Sequence, residues 1–255
     1  LDLGSQFGSY SEFIKSVLEN PEKRPSLSKF KLKPDIDKHG SVSDVLQQGQ
    51  QLLVQIVKEP ISTKGPRLTT EITFTGRFMV LIPFNNKISV SQKIKNSAEK
   101  MRLRKLVESI KPHNFGVIIR TSAENKRAAE LNAEMKVLVK CWEDSVAKLQ
   151  YTTPPALVYE EESRAVSVIR DIFSPEFESI YVNNAEIYDQ LHNYVSLIAP
   201  DRADIVKIYS DDVPIFDKFN ITRQIKSSFG KTVSFKSGAY IIICLLYTSP
   251  SPRDS

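Results

Sequence analysis

Cysteine is nearly missing from this sequence: Cys141 and Cys244 lie far apart among 255 residues, and neither has a second cysteine at CxxC spacing. That excludes a disulfide framework and a cysteine zinc site, and it fits a reducing cytoplasm, the expected location. His39, His113 and His192 are just as isolated, so no histidine set at metal-ligand spacing exists. No apolar run reaches the roughly 18 residues that a membrane-spanning helix needs, and no membrane partner is expected. The opening Leu1-Asp2-Leu3-Gly4 has neither an initiator Met nor a basic leader, so the N-terminus is expected to be cut rather than targeted. The GxSxG, Walker, HExxH and dinucleotide fingerprints are all absent, which leaves no convincing catalytic centre on motif chemistry alone.

What is present is the composition of an ordinary soluble globular protein, 41% hydrophobic and 25% charged. The length exceeds one average domain and allows more than one core. A net charge of +5 and a pI near 9.0 point to an anionic partner, because clustered Lys and Arg neutralise phosphates and release their counterions. Charge balance alone does not separate nucleic-acid binding from a merely basic surface.

Along the chain, Ser9-Tyr10-Ser11-Glu12 reads as a capping box opening a helix through Val17 and Leu18. A basic loop comes next, between Pro21 and Pro34, carrying Lys23, Arg24, Lys29, Lys31 and Lys33. β-Prone runs at 53–57, 68–74 and 78–82, the last two meeting at Gly76 with no helix between, suggest the end of a small barrel passing into a neighbouring sheet. The pattern then alternates: a helix over 101–110, a strand over 116–119 and a long helix from Ser122 to about Leu149. Pro154-Pro155 marks a linker. Beyond it, strands at 156–159, 179–182 and 205–209 alternate with helices at 164–173, 186–198 and 221–229, and a hairpin joins 233–235 to 239–243. The fold class expected is therefore a multidomain α+β or α/β chain.

Several residues carry possible chemistry, each with a plainer alternative. Arg120-Thr121 sits where a strand ends and a helix is expected, a place where guanidinium, hydroxyl and helix N–H groups converge on an anion; the alternative is a solvated Arg beside a Thr cap. Lys64-Gly65-Pro66-Arg67 is a cationic loop that suits a nucleic-acid backbone, or an ordinary hairpin tip. The basic loop is a phosphate-tracking surface or a solvated face. Trp142 and Met135, on the apolar side of the long helix, read as core. Glu160-Glu161-Glu162 and Asp211-Asp212 are potential Mg²⁺ ligands or simply water-facing acids.

Taken in order, Lys64-Gly65 with Leu68-Thr69-Thr70, then Gly76 and Val80, then Gly116-Val117-Ile118-Ile119-Arg120-Thr121, Val213-Pro214-Ile215-Phe216 and Ser237-Gly238-Ala239-Tyr240-Ile241 resemble the ribonuclease E/G family over nearly all of residues 1–243. The resemblance implies the back part of an OB-fold RNA-binding barrel over 1–70, a 5′-sensor domain over 71–155, a ribonuclease H-like segment over 156–230 and the start of a deoxyribonuclease I-like catalytic domain over 231–243. It implies that Lys64 contacts RNA, that Arg120 and Thr121 bind a terminal 5′-phosphate, and that Gly76 and Val80 shape that pocket. The implied parent is a homo-oligomeric, Mg²⁺-dependent endoribonuclease acting on single-stranded RNA with a 5′-monophosphate, with zinc possible in the parent alone. Cys244 stands where the family has an Asp, 245–255 has no family counterpart, and 244–255 reads as a non-native tail. The catalytic carboxylates are thus expected to be absent and this piece inactive; the alternative is a non-catalytic RNA-binding protein with an OB-like barrel.

Overall fold

The first helix, α1 (Phe7–Glu19), forms because Phe7, Tyr10, Phe13, Ile14 and Val17 recur at helical spacing and bury one stripe. It begins ahead of the expected cap. Ser9 is buried inside it, its hydroxyl donating to Gln6 Oε1 at 2.7 Å and accepting the Lys33 N–H at 2.8 Å, so it ties down a later segment instead of opening the helix. The computed structural model describes residues 1–19, 25–37, 40–174, 176–230, 232–235 and 237–242. The expected basic loop falls partly outside them, as do His39 and the residues from 243 onward.

Strands β1 (Gln55–Lys58) and β2 (Arg67–Thr69) pair antiparallel. The strand expected over 68–74 stops at Thr69 because the chain's first residues claim Thr70: its N–H donates to Asp2 O at 3.0 Å, and its Oγ1 accepts the Gly4 N–H at 3.1 Å. Strands β3 (Phe74–Thr75), β4 (Met79–Pro83), β5 (Ile88–Val90) and β6 (Phe115–Ile119) form one sheet in the order β3-β4-β6-β5. Only β5 and β6 run parallel, joined through helix α2 (Ser97–Ile110). Among the described residues no sheet closes into a barrel.

Helix α3 (Ala128–Leu149) starts later than the expected Ser122, since a 3₁₀ turn over Thr121–Ala123 comes first. Its Leu131, Met135, Leu138 and Trp142 enter a core shared with Met79, Leu81, Val117, Ile119, Leu103 and Val107. The Trp142 ring sits 5.9 Å from Phe13, 5.6 Å from Phe84 and 6.4 Å from Phe74, so it and Met135 are packing residues. The strand expected over 156–159 does not form. Tyr159 lays its ring 5.1 Å from Phe74, and Val158 joins the same core.

Residues Leu1–Ser163 make one unit and Arg164–Ser255 a second. The second contains α4 (Arg164–Ile172), β7 (Ile180–Val182), α5 (Ala185–Ile198), β8 (Val206–Ile208), α6 (Ile215–Lys218), α7 (Ile221–Ser228) and a hairpin of β9 (Thr232–Ser234) with β10 (Tyr240–Ile242). Strands β7 and β8 pair parallel, and α5, whose N-terminus Asn184 caps, buries Leu191 and Val195 in the core of this unit.

One buried side chain ties the sheet to the N-terminal segment. Asn114, left-handed at φ 66° just before β6, donates its amide to Leu27 O at 2.8 Å and Phe30 O at 2.6 Å. Asparagine tolerates that conformation better than alanine. Asn114→Ala strands two carbonyls as well, and is expected to lower unfolding free energy by about 2–4 kcal/mol in urea titrations with an unchanged denaturant slope.

Candidate functional site

The parallel pair β5–β6 defines where to look, because ligands of open α/β sheets gather beyond the carboxyl ends of parallel strands. Ser91 follows β5 directly, and Arg120 and Thr121 follow β6. Ser91 N–H donates to Ile119 O at 2.9 Å, and its hydroxyl lies 3.1 Å from the Thr121 hydroxyl. Arg120 keeps an extended backbone, donating its N–H to Phe78 O at 2.8 Å, and its guanidinium Nη1 donates to Gly76 O at 2.8 Å. Thr121 is exposed and Arg120 half-buried. Val80, half-buried on β4, pairs with Ile118 of β6.

Of the residues singled out from sequence, Gly76, Val80, Arg120 and Thr121 thus meet around one end of the sheet. Lys64 belongs elsewhere, on the exposed turn between β1 and β2 that is closed by paired Ile61–Lys64 backbone bonds of 3.1 and 3.0 Å. The helix N-terminus expected behind Arg120 is a short 3₁₀ turn, and α3 begins further on, where Glu130 accepts the Arg127 N–H at 3.0 Å.

Glu134 of α3 occupies the space beside Gly76. Its carboxylate accepts the backbone N–H groups of Arg77 at 2.6 Å, Phe78 at 2.9 Å and Met79 at 2.9 Å. A Cβ on Gly76 would lie 2.6 Å from the Glu134 carboxyl carbon, so this position has to be glycine for the approach to happen. Burial pushes the Glu134 carboxyl above the ordinary carboxylate range, while the three N–H donors and the Arg120 charge pull the other way.

The loop leading from Thr121 to α3 is pinned from α2. Glu99 and Arg102 form a bidentate pair with both bonds at 2.6 Å; Glu99 also accepts the Asn125 N–H at 2.9 Å, and Arg102 donates to Lys126 O at 3.0 Å. The Arg102 hydrogen bonds hold the Glu99 carboxyl down at about 2, with the Asn125 N–H helping and burial opposing.

Among the described residues no cluster of three His, Cys, Asp or Glu side chains is placed to hold a metal ion, and Asp211 instead pairs with Lys218 at 3.1 Å. Nor is any described helix long and apolar enough to cross a membrane. An open hollow of about 480 Å³, lined by Asn86, Ile88, Arg104, Glu108, Lys111 and His113, lies toward the opposite end of β6 from Arg120.

Comparison with known proteins settles the family. The Ribonuclease E/G family model matches residues 73–244. The chain belongs to the ribonuclease E/G family. It is 35% identical over 202 residues to ribonuclease G of Escherichia coli strain K12, covering 79% of this chain and 41% of that protein. Similarity to ribonuclease G of Haemophilus influenzae is 32% over 203 residues, covering 80% and 41%, and to ribonuclease E of a Nostoc species 34% over 207 residues, covering 80% and 30%. The chain therefore spans about two fifths of the length of the ribonuclease G relatives it matches.

Within this family member, sequence reasoning missed Ser91 and Glu134. Ser91 carries no linear signal, since only the β5–β6 pairing brings it to Thr121. Glu134 did carry one: it lies three residues after Leu131 and four before Leu138, an acid set beside the buried stripe of α3. Glu99 supplies a pH test. Its folded carboxyl titrates below the ordinary 4.5, so its contribution to stability is present above that value and is lost as pH falls through about 2. Glu99→Gln is expected to be less stable than the unaltered protein at neutral pH, with the gap constant down to about pH 5 and closing toward pH 2 in denaturant titrations.

Proposed function

We propose that this chain is the RNA-binding and 5′-monophosphate-sensing portion of a cytoplasmic, homo-oligomeric endoribonuclease that processes or degrades single-stranded RNA with Mg²⁺. The observation that carries the reading is the end of β6, where the Arg120 guanidinium is held on the Gly76 carbonyl and the next residue, Thr121, sets its hydroxyl against that of Ser91. A guanidinium presents several N–H donors in one plane, matched to phosphate oxygens, and the hydroxyls add donors beside it. A 5′-hydroxyl end offers neither the charge nor the acceptors, so such a site distinguishes the two RNA ends. Val80 forms part of the surrounding wall, and Gly76 fixes the guanidinium through its carbonyl.

Lys64, on its exposed β1–β2 turn, would bind RNA backbone phosphate as part of an OB-like surface. Magnesium belongs to the proposal for the whole protein only; none of the described residues forms a ligand set for it. Cys244, at the position where the family resemblance places an Asp, supports the expectation that this stretch binds RNA without cutting it.

Fluorescence anisotropy with two otherwise identical single-stranded RNAs tests the reading. The unaltered chain is expected to prefer the 5′-monophosphate form. Arg120→Ala should cost that RNA at least about tenfold in affinity, as expected for a charge-assisted hydrogen bond, and leave the 5′-hydroxyl form unchanged. Lys64→Ala should weaken both RNAs alike and reduce the salt slope by about one. Equal affinity of the unaltered chain for both RNAs would sink the 5′-end assignment, and robust Mg²⁺-dependent cleavage by this chain would sink its assignment as a binding portion.

A further inference from the structure

A two-residue hairpin turn is ordinarily closed by reciprocal backbone bonds between its first and fourth residues. The turn Gly76–Arg77–Phe78–Met79, which connects β3 to β4, keeps one of them: Gly76 N–H donates to Met79 O at 2.8 Å. The other is split between two charged side chains. Met79 N–H goes to Glu134 Oε2 at 2.9 Å, and the Gly76 carbonyl accepts from Arg120 Nη1 at 2.8 Å. Both corner N–H groups, of Arg77 and Phe78, also end on the Glu134 carboxylate. Ser122 closes the arrangement from the Arg120 side, donating its hydroxyl to Arg77 O.

We propose that Glu134 is a positioning residue of the 5′-end site: by holding the Arg77, Phe78 and Met79 N–H groups on its carboxylate it fixes the turn whose Gly76 carbonyl Arg120 binds, and so sets the guanidinium at the end of β6 for a terminal phosphate. This rests on the 5′-end reading above and adds to it a residue that itself touches no RNA. The missing Cβ of Gly76 is the second half of the device, because a side chain there would displace the carboxylate and restore an ordinary turn. Glu134 and Arg120 then act as one unit, linked through a single peptide group, one from a helix and the other from the strand end that precedes it.

The readout is the ratio of affinities for 5′-monophosphate and 5′-hydroxyl RNA, followed alongside a thermal melt. Glu134→Ala is expected to reduce the ratio at least about fivefold while 5′-hydroxyl binding stays put, since backbone phosphate contacts do not involve this turn. Glu134→Gln, which keeps one acceptor oxygen, should fall between. Gly76→Ala should reproduce Glu134→Ala. In an Arg120→Ala background, Glu134→Gln should change the ratio no further, as expected if its effect passes through Arg120. If Glu134→Ala does not fold, Glu134→Gln decides. A folded variant with the unaltered ratio, or one that weakens both RNAs equally, overturns the inference while the 5′-end reading stands. Absence of any preference in the unaltered chain overturns both.

Discussion

A carboxylate withdrawn from water must find donors or lose its charge, and the environment of Glu134 is organised around that requirement. Three successive backbone N–H groups meet it at a turn where a glycine lets the carboxylate close in. The Met79 N–H that would close the turn goes to the acid, and the Gly76 carbonyl accepts from Arg120. The register of β4 against β6 brings Phe78 opposite Arg120, so the same turn is held by the sheet through the Arg120 N–H. A change at any of these points would be felt at the others, because they share one short stretch of backbone.

The remaining supports keep the strand-end loops from drifting. From α2, the Glu99–Arg102 pair holds Asn125 and Lys126, and Asn96 holds the start of α2 by accepting the Ala98 and Glu99 N–H groups at 2.9 and 3.2 Å. From below, the aromatic packing of Phe13, Phe74, Phe84 and Trp142 fixes α1, the sheet and α3 against one another. A binding residue on a loop is only as well placed as the elements on either side of that loop. Here each side is anchored by an acid, Glu99 buried and Glu134 half-buried.

Periodicity made much of this legible from sequence. The apolar spacing of α2, α5, α7 and all but the start of α3, and the β-prone runs at β1, β4 and β6, match the structure to within a few residues, because each depends on local pattern. The departures came from long-range competition. Residues 68–74 have strand propensity throughout, but Asp2 and Gly4 take the backbone and hydroxyl of Thr70 and break the strand. Ser9 looks like a cap until Lys33 is seen to use its oxygen. Residues 156–159 have an apolar pattern that serves the first core instead of a sheet edge. Arg120-Thr121 could be read as a strand-end pair, whereas the Ser91 that meets Thr121 depends on a parallel pairing that no local rule specifies.

The position of Glu134 also bears on why an arginine, and not a lysine, stands at 120. A lysine ammonium placed near that acid could satisfy the Gly76 carbonyl, but a single compact charge would then be committed to the turn and the acid together. A guanidinium is planar, so one edge can engage the turn while the plane extends beyond it. The acid screens part of the positive charge, which disfavours indiscriminate capture of every phosphate along a strand. A dianionic terminal phosphate gains about twice as much from the net positive charge that remains as a singly charged internal one, while the geometric demand stays the same. On the proposed 5′-end reading, selectivity for an RNA end would arise from the pairing of Arg120 with a half-buried acid, and a more strongly cationic site would bind more tightly and discriminate less.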